Sequence, residues 1–534
     1  MESVCIPHGE TPAAGNRLFL DFVSRFDRVE QFFRRPPTLD SLEASAREIQ
    51  FPDERRAALV EALRGQNRAA DASVREALDK LARPGVVAVV TGQQAGYLGG
   101  PAYAVYKALT AIRLAKALER RGVEAVAVFW LATEDHDLDE IASAWIPGPD
   151  GSPLKLEAPA GAGRGGPAGR VELGPTAFEA LEDAFSGLDW AAEALELARA
   201  AYGEPSTFGE AFRKLFEKVF EGRGLIQLDP LDPALRRIVR PAFRTAVAEA
   251  AGLHEALAER GAALEESGYP QQVKIPEHGT LLFTIRDGRR RPLVRDGRSF
   301  VLDGRRLNED EVLALVEEAP ETFSPNALLR PSVQDLLLPV AAYVGGPGEI
   351  AYWAQAEVVF GRVVGRMPTL FPRASFTLID PRRARLLAKY GLTVRDCWTH
   401  RAALEERMGR FLVPDDQEQR FSRSREEIDA TLGRLESSLR EFDPTLAQAL
   451  ERSAAKIRYQ IDKLRAKTAR EALRRADRAA DNAGELLHWI FPEKAPQERL
   501  YSFLPLWARF GPRLLDDLEE ATRPECLDHQ AVSL

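Results

Sequence analysis

Apolar side chains change their spacing twice along this chain, and each change indicates a new kind of structure. Residues 15 to 85 carry apolar positions at helical spacing, which predicts a layer of packed helices. Two short β-branched runs follow, VVAVV (Val86–Val90) and VEAVAVFWLA (Val123–Ala132), and Ala102 to Arg121 between them has the apolar face of one helix. The last third of the chain returns to helical spacing. The pattern therefore predicts an α/β core between two helical regions.

The two β-branched runs and the helix between them form a βαβ unit, the building block of a parallel sheet. A further strand is predicted at GLIQLDP (Gly224–Pro230), and another in MPTLFPRASFTLID, which starts at Met367. The apolar run near Leu336 contains Pro339, so its pattern fits either a strand or a helix. Because open α/β sheets bind ligands at the carboxyl ends of their strands, the segments that follow these strands are the first candidates for a site.

Two segments interrupt this core. Phe283 to Leu307 contains three Asp-Gly pairs between alternating residues, which predicts a small antiparallel insert. Residues 146–170 are rich in Gly, Pro and Ala, and we expect a loop or a weak hairpin there.

The C-terminal third contains a heptad seam. Its apolar positions step by four and three, and they are Ile428, Leu432, Leu435, Leu439, Phe442 and Leu446. Asp443-Pro444 is typical of one helix ending and another beginning, so we expect two long helices, with an antiparallel hairpin as one arrangement. Gly484 to Leu518 is rich in aromatic residues, which predicts that this tail docks on the rest of the protein.

Composition narrows the class of protein. Of the 534 residues 45% are hydrophobic and 29% are charged, and the net charge of -9 argues against a nucleic-acid-binding protein that works by bulk electrostatics. No run reaches the ~20 apolar residues of a membrane span, and the first residues lack the pattern of a signal peptide. The cysteines, Cys5, Cys397 and Cys526, show neither metal-ligand spacing nor a disulfide framework. We therefore expect a cytoplasmic protein with neither nucleic acid nor membrane as a partner.

The segment TGQQAGYLGGP (Thr91–Pro101) follows the first predicted strand and precedes its helix. Glycine backbone N–H groups and a helix N-terminus favour an anion, and Gln93 and Gln94 add amide groups. The segment matches neither GxGxxG nor a Walker A loop. Two interpretations stay open, namely a ligand-binding loop and a glycine-rich turn that serves tight packing.

The segment TEDHDLDEI (Thr133–Ile141) follows the neighbouring strand. Its crowded carboxylates perturb one another's pKa values, as acid–base catalysis requires, and one of them could take a proton from an attacking amine or hold an ammonium group. The alternative is a solvated acidic loop that supplies helix N-caps. Because both segments leave adjoining strands, we expect the paired glutamines and the acidic cluster to wall one cavity.

Two further segments offer ligand-binding side chains. YVGGPGEIAYWAQ (Tyr343–Gln355) places glycine N–H groups before a helix with Glu349 in its first turn, although its aromatic residues are equally typical of a core. Arg330 in SPNALLRPSVQD is a candidate clamp for a carboxylate or a phosphate, and Gln272 in GYPQQV is a candidate of the same kind.

Several segments, taken in order, resemble the bacillithiol-synthesis cysteine-adding enzymes, the BshC family. The resemblance rests on TGQQAGYLGGPAYAVYKALTAIRLAKAL, FWLATEDHDLDEI, NALLRPSVQDLLLPVAAYVGGPGEIAYWAQ, FPRASFTLI, KIRYQIDKL and PQERLYSFL. It extends from about Leu18 to Leu518, and Gly99-Gly100 departs from the threonine-glycine pair expected in the family.

The resemblance implies an α/β fold: a Rossmann-like parallel-sheet core with inserted segments and a C-terminal helical coiled-coil arm that makes a homodimer. The domains expected on these grounds are an N-terminal helical layer at 1–85, the core at 86–385 with insertions at about 146–223 and 255–330, coiled-coil helices at 386–490, and a docking C-terminal segment at 491–534.

The implied activity is the last step of bacillithiol synthesis, which adds L-cysteine to glucosaminyl-malate. Forming an amide from a carboxylate in water is uphill, so the cysteine carboxyl must be activated, and ATP could do this through an acyl-phosphate or an acyl-adenylate. ATP or ADP is therefore the expected nucleotide. No metal ligand is assigned, and the sequence leaves open whether Mg²⁺ accompanies the nucleotide.

The site residues expected on these grounds form two groups. The catalytic candidates, which would accept the proton of the amine, are Asp135, His136 and Asp137. The substrate- or nucleotide-binding candidates are Thr91, Gly92, Gln93, Gln94, Gly96, Glu134, Gln272, Arg330, Tyr343, Gly345, Gly346, Glu349 and Tyr352. Two other functions stay open, namely a nucleotide-binding enzyme of another class, such as a nucleotidyltransferase, and a non-catalytic coiled-coil scaffold of the pathway.

Overall fold

The computed structural model describes residues 2–161 and 165–534, and the chain divides into two compact units. The first unit contains residues 3–376 and 498–530, and the second contains residue 2, residues 377–497 and residues 531–534. The division thus falls at Phe376–Thr377, whereas the sequence placed the end of the core at 385. Of the predicted loop at 146–170, residues 162–164 lie outside the described residues.

The first unit is built on a five-stranded parallel sheet. Its strands are β1 (Val87–Gln93), β2 (Ala125–Leu131), β3 (Ile226–Leu228), β4 (Val340–Gly345) and β5 (Thr369–Pro372). They lie in the order β5-β4-β1-β2-β3, and every neighbouring pair is parallel. The predicted α/β class with a Rossmann-like core is confirmed. The strand order changes direction between β1 and β4, which is where open α/β sheets bind ligands.

Strand β1 continues beyond its β-branched run. Thr91, Gly92 and Gln93 pair with residues of β2. A Cβ at Gly92 would lie 2.7 Å from the carbonyl oxygen of Trp130, so glycine is required for the two strands to approach here. The extension places Gln93 at the carboxyl edge of the sheet.

Four helices position the residues at this edge. They are α1 (Tyr103–Arg120), α2 (Pro233–Ala248), α3 (Arg330–Leu337) and α4 (Pro347–Val363). The ambiguous run near Leu336 contains both elements, because α3 ends at Leu337 and β4 starts at Val340, directly after Pro339. Helix α4 starts two residues before the predicted Glu349, with Pro347 in its first turn, where proline is favoured.

Helices also form the predicted N-terminal layer, and their apolar side chains share a core with the sheet. The α-helices outside α1–α4 in residues 2–376 are, in chain order, Arg17–Ser24, Leu39–Arg47, Asp53–Gln66, Ala72–Leu81, Leu138–Ile141, Glu179–Phe185, Ala191–Tyr202, Phe208–Val219, Ala250–Glu266 and Glu309–Glu318.

The Asp-Gly segment forms the predicted antiparallel insert. Its sheet contains, in spatial order, the strands Arg305–Leu307, Ser299–Leu302, Arg289–Asp296, Gly279–Arg286 and Phe323–Pro325. Asp287, Gly288, Asp303 and Gly304 have positive φ, as two-residue hairpin turns require. The Gly-rich segment near residue 150 is a hairpin of Ser143–Pro147 with Pro153–Glu157, and the other strands are Glu2–Ile6, Glu172–Leu173, Ser206–Thr207, Ser375–Ile379 and His529–Ser533.

The second unit contains the coiled coil. Its long helices α5 (Asp415–Phe442) and α6 (Pro444–Arg475) meet at Asp443, whose carboxylate accepts the Thr445 N–H at 2.8 Å. Ion pairs join Arg425 to Asp462 at 2.5 Å and Arg458 to Asp429 at 2.7 Å, so the two helices are antiparallel. The remaining helices after residue 376 are Pro381–Lys389, Val394–Cys397, Arg401–Leu412, Ala479–Ile490, Gln497–Leu500, Leu504–Phe510 and Arg513–Ala521.

The C-terminal stretch 498–530 belongs to the first unit, where the Ala102 N–H donates to the Tyr501 carbonyl at 2.8 Å. In the described part of the chain, no helix combines the length and the apolar character needed to cross a membrane.

Candidate functional site

A cavity of about 320 Å³ opens at the carboxyl ends of β1, β2 and β4, at the switch point of the sheet. The side chains and backbone that line it come from every segment that the sequence singled out at this edge. The predicted residues among them are Gly92, Gln93, Gln94, Asp135, Arg330, Tyr343, Gly346, Glu349 and Tyr352.

The paired glutamines and the acidic cluster lie side by side, as expected. Gln94 donates from Nε2 to Glu140 Oε2 at 2.8 Å and to Asp135 Oδ2 at 3.3 Å. The amide of Gln94 therefore ties the end of β1 to the segment that follows β2. Gln93 points to another partner, since its Oε1 accepts a hydrogen bond from Lys107 at 3.0 Å.

Buried Lys107 and partly buried Glu349 form an ion pair on one wall of the cavity. Lys107 Nζ lies 2.5 Å from Glu349 Oε2 and donates to the Gly92 carbonyl at 2.8 Å. Burial lowers the pKa of Lys107, and the neighbouring Glu349 opposes that shift. Glu349 also accepts from Tyr343 Oη at 2.7 Å and from the Gly346 N–H at 2.8 Å. The carboxylate of Glu349 thus fills the N-terminus of α4, which the sequence offered as an anion site.

Beneath the cavity lies a buried charge cluster, which we name the arginine–glutamate cluster and define as Arg236, Glu134 and Arg330. Glu134 is 0% exposed, and its carboxylate accepts from Arg236 Nη2 and, at 3.1 Å, from Arg330 Nε. Arg236 also donates to the Phe323 carbonyl at 2.9 Å. Because this cluster fixes the guanidinium of Arg330, Glu134 supports the cavity from below and does not line it.

Of the three catalytic candidates, Asp135 is the one that lines the cavity, where Glu140 and Glu349 are the other acidic residues. Its Oδ2 lies 3.7 Å from Arg330 Nη2, and its Oδ1 accepts the His136 N–H at 2.8 Å. Burial pushes the pKa of Asp135 upward, but Arg330 and the His136 N–H outweigh that effect, and the net result is a lowered pKa. Asp135 therefore remains a carboxylate at neutral pH.

Two further cationic side chains, Arg373 and Arg499, line the cavity. Arg373 is buried and forms a bidentate pair with Glu498, with Nη–Oε distances of 2.7 and 2.9 Å. Burial alone would raise the pKa of Glu498, yet Arg373 holds it at about 2. Arg499 is exposed at the rim, and the described residues place no carboxylate within ion-pair distance of it. Arg330 and Arg499 are thus the cations best placed to meet an anionic ligand.

Three residues that line the cavity have a buried N–H donor. Trp130 Nε1, Gln334 Nε2 and Trp353 Nε1 have no hydrogen-bond acceptor among the described residues. Gln334 lies one helical turn after Arg330 on α3, so the two side chains share a face. Since buried donors are normally satisfied, a ligand oxygen is a fitting partner for them. No group of three or more His, Cys, Asp or Glu in the described ranges is arranged to hold a metal ion.

Two family models match the chain. The N-terminal Rossmann-like domain of bacillithiol biosynthesis BshC matches residues 1–374, and the C-terminal coiled-coil domain of BshC matches residues 376–534. The chain belongs to the BshC family. The resemblance found in the sequence is confirmed over both parts of the protein.

Curated relatives extend over the whole chain. The protein named "Putative cysteine ligase BshC" in Solibacter usitatus is 40% identical over 533 residues, which is 100% of both chains. The protein of the same name in Koribacter versatilis is 37% identical over 530 residues, 99% of both chains. That of Salinibacter ruber is 33% identical over 546 residues, 97% of this chain and 96% of its own.

Within this BshC chain, two of the three catalytic candidates lie outside the cavity lining. His136 is exposed and its Nδ1 lies 3.0 Å from Arg290 Nη1. Asp137 is the N-cap of the helix Leu138–Ile141, where its Oδ1 accepts the Glu140 N–H at 3.2 Å. The contacts of Asp137 are therefore those of a helix N-cap, which was the alternative to a catalytic role for the acidic segment.

Besides Glu134, four binding candidates also lie outside the lining, each for a local reason. Thr91 donates from Oγ1 to the Val344 carbonyl at 2.9 Å and so joins β1 to β4. Gly96 packs on Gly100, where a Cβ would lie 2.8 Å from the Gly100 Cα. The other two, Gly345 and Gln272, form hydrogen bonds through their backbone atoms.

Gly345 accepts the Arg373 N–H at 2.9 Å with its carbonyl. Gln272 donates its backbone N–H to Gln355 Oε1 at 3.0 Å. The glycine-rich segment Thr91–Pro101 thus has two parts. Gly92 to Gln94 face the cavity, and its later glycines serve packing.

Sequence reasoning missed several lining residues, and one of them had a detectable signal. Lys107 is a lone charge among the buried, mostly apolar positions of α1, which is unusual unless the charge is paired. Other polar or aromatic lining residues lie within segments quoted above but were not singled out as site residues, and they include Tyr103, Trp130, Glu140, Gln334, Arg373 and Arg499.

Proposed function

We propose that this chain joins the carboxyl group of L-cysteine to the amino group of glucosaminyl-malate in the last step of bacillithiol biosynthesis. The family makes the chain a carbon–nitrogen bond-forming ligase. The observation that supports the proposal best is the pairing of Asp135 with Arg330 at the switch point of the sheet. A carboxylate there can receive an amine, and a guanidinium beside it can hold a carboxylate or a phosphate.

The reaction needs an activated carboxyl group, and we propose ATP as its source. The residues that would hold the anionic part of the nucleotide or of malate are Arg330 and Arg499, with Trp130 and Gln334 as neutral donors. The N-terminus of α4 fits a phosphate less well, since Glu349 already accepts the Gly346 N–H. ATP bound at Arg330 and Arg499 would supply a leaving group for the cysteine carboxyl. Mg²⁺ enters the proposal as the counter-ion of the phosphates.

Asp135 is the proposed acceptor of the amine's proton. The amine of glucosaminyl-malate must lose a proton to attack, and Asp135 is an ionised carboxylate that lines the cavity. Gln94 and Arg330 fix that carboxylate through contacts at 3.3 and 3.7 Å. Holding the amine against the activated carboxyl would supply much of the rate acceleration.

We expect Asp135→Asn to lower the rate of ligation by about 10²–10⁴-fold, the usual contribution of a general base. The assay supplies L-cysteine, glucosaminyl-malate and ATP to the purified protein and measures bacillithiol by mass spectrometry. Asp137→Asn is the matched control, because Asp137 lies on the same segment but caps a helix outside the cavity. Equal rates for Asp135→Asn and the wild type would contradict the role of Asp135. Nucleotide transfer to another acceptor without amide formation would favour the nucleotidyltransferase alternative.

We also propose that the coiled coil makes a homodimer. The hairpin of α5 and α6 leaves apolar side chains exposed, two of them from the heptad seam of the sequence. Leu435 and Phe442 of that seam are exposed by 47% and 83%, and Ile457 and Leu464 by 40% and 56%. Apolar side chains so exposed on a heptad helix are typical of an association surface.

Light scattering should therefore give about twice the chain mass of 59.1 kDa for the wild type. Leu435→Glu is expected to shift the protein toward the monomer mass, because it places charge on the association surface. Ser437→Glu on the same helix is the control and should leave the mass unchanged. A monomeric wild type would contradict the proposal. A cytoplasmic location completes the proposed assignment.

A further inference from the structure

Two cysteines far apart in the sequence meet in the structure. Cys5 lies in the strand Glu2–Ile6 and Cys526 lies near the other end of the chain, and their Sγ atoms are 3.1 Å apart. A disulfide bond has an S–S length of about 2.0 Å, so a shift of about 1 Å would join the two sulfurs. Three cysteines far apart in the sequence predicted no disulfide framework, and the fold brings two of them together.

The surroundings divide the two thiols into an attacking and a resolving group. Cys5 is exposed to solvent, and Arg523 Nη2 lies 3.7 Å from its sulfur. Cys526 is partly buried, and burial together with the neighbouring Cys5 raises the pKa of its thiol to about 11. An external disulfide therefore reaches Cys5 first.

The third cysteine provides a contrast within the same chain. Cys397 is 0% exposed, and burial raises the pKa of its thiol to about 12. Neither property suits a reactive thiol.

We propose that Cys5 and Cys526 form a redox modification site, at which a low-molecular-weight disulfide converts the pair to an intramolecular disulfide. The Cys5 thiolate attacks one sulfur of the reagent disulfide and releases one thiol, which leaves a mixed disulfide on Cys5. The Cys526 thiolate then attacks Cys5 Sγ and releases the second thiol. Two protein thiols are oxidised and one reagent disulfide is reduced to two thiols, so atoms and electrons balance. The proposal is independent of the proposed ligase function.

The bond would tie the two ends of the first unit together. It would add a covalent link beside an existing contact, since His8 Nε2 lies 2.8 Å from the Leu527 carbonyl oxygen. A cross-link between distant positions restricts the unfolded chain, so the oxidised protein should unfold at a higher temperature. Thiol reductants should reverse the change.

The test exposes the reduced full-length protein to glutathione disulfide and maps its peptides by mass spectrometry. We expect a linked pair of peptides containing Cys5 and Cys526, a total mass lower by two hydrogen atoms, and a thermal midpoint higher by several degrees. In Cys526→Ser the mixed disulfide with glutathione should accumulate on Cys5, because no resolving thiol remains. Cys397→Ser should behave as the wild type.

Three outcomes would overturn the proposal. The first is a wild type that accumulates stable glutathione adducts without the internal link. The second is a link that includes Cys397, and the third is a link between two chains. Cys5→Ser provides the folded reference, since the exposed position tolerates serine and the variant should neither cross-link nor change its thermal midpoint on oxidation.

Discussion

Replacing Glu134 with glutamine should lower the free energy of unfolding by about 3–5 kcal/mol, because the change leaves buried positive charge without its partner. Glu134 is completely buried between Arg236 and Arg330, and Arg236 is only 2% exposed. Glutamine keeps the size and one acceptor oxygen of the side chain but removes its charge. Urea unfolding followed by circular dichroism measures the difference.

Glu140→Gln is the matched control for this change, because Glu140 lies in the same segment but is exposed and bonds to Gln94. Its substitution should cost less than about 1 kcal/mol. Combining Glu134→Gln with Arg236→Gln should cost clearly less than the sum of the two single changes, because the members of a charge cluster are coupled. A Glu134→Gln protein as stable as the wild type would show that the arginine–glutamate cluster contributes nothing to the fold.

Replacing Arg330 with lysine is expected to lower kcat/KM for ligation by about 100-fold or more. The guanidinium of Arg330 bonds to Glu134 through Nε and faces Asp135 through Nη2, at 3.1 and 3.7 Å. A lysine ammonium keeps the charge but cannot hold both carboxylates and a ligand with one planar group. Steady-state kinetics with cysteine, glucosaminyl-malate and ATP would measure the loss.

Arg362→Lys provides the control for this substitution, because Arg362 lies on α4, is largely exposed and pairs with Glu249 at 3.0 Å. It should leave kcat/KM within about 2-fold of the wild type. The thermal midpoint of Arg330→Lys should be checked in parallel, so that a loss of activity is not a loss of fold. If Arg330→Lys remains fully active and folded, the proposed anion clamp is wrong.

The meeting of Gln94 and Asp135 was predictable from the sequence for a simple physical reason. Parallel strands that are neighbours in a sheet release their following segments at the same edge, so two polar segments after two such strands must adjoin. The β-branched runs located both strands. Pattern and topology together were therefore sufficient to place this part of the site.

The roles within the acidic segment were not predictable. The chain turns sharply after Asp135 to enter the helix Leu138–Ile141, and that turn makes Asp137 a cap and directs His136 toward Arg290. Such local geometry depends on where the helix starts, and apolar periodicity does not specify this within one or two residues.

The sequence pattern also did not predict that arginines from distant segments lie at the site. Arg236 on α2 and Arg373 after β5 each come to the site from a separate stretch of the chain. Arg236 lies in none of the quoted segments, and FPRASFTLI does not indicate that its Arg373 turns toward the site. Their partners, Glu134 and Glu498, are buried carboxylates, and a sequence does not reveal which carboxylates will be buried. Tertiary packing supplies that information.

The carboxylate of Glu349 has a consequence for how any charged molecule enters. It pairs with Lys107 and accepts the N–H of Gly346, the N-cap of α4, so this wall presents little net attraction to a negative group. Arg499 lines the same cavity without a carboxylate partner among the described residues, so its charge stays available to an anion. An elongated substrate with one negative end would therefore place that end near Arg499 and its neutral part along the Lys107–Glu349 pair before any bond is made.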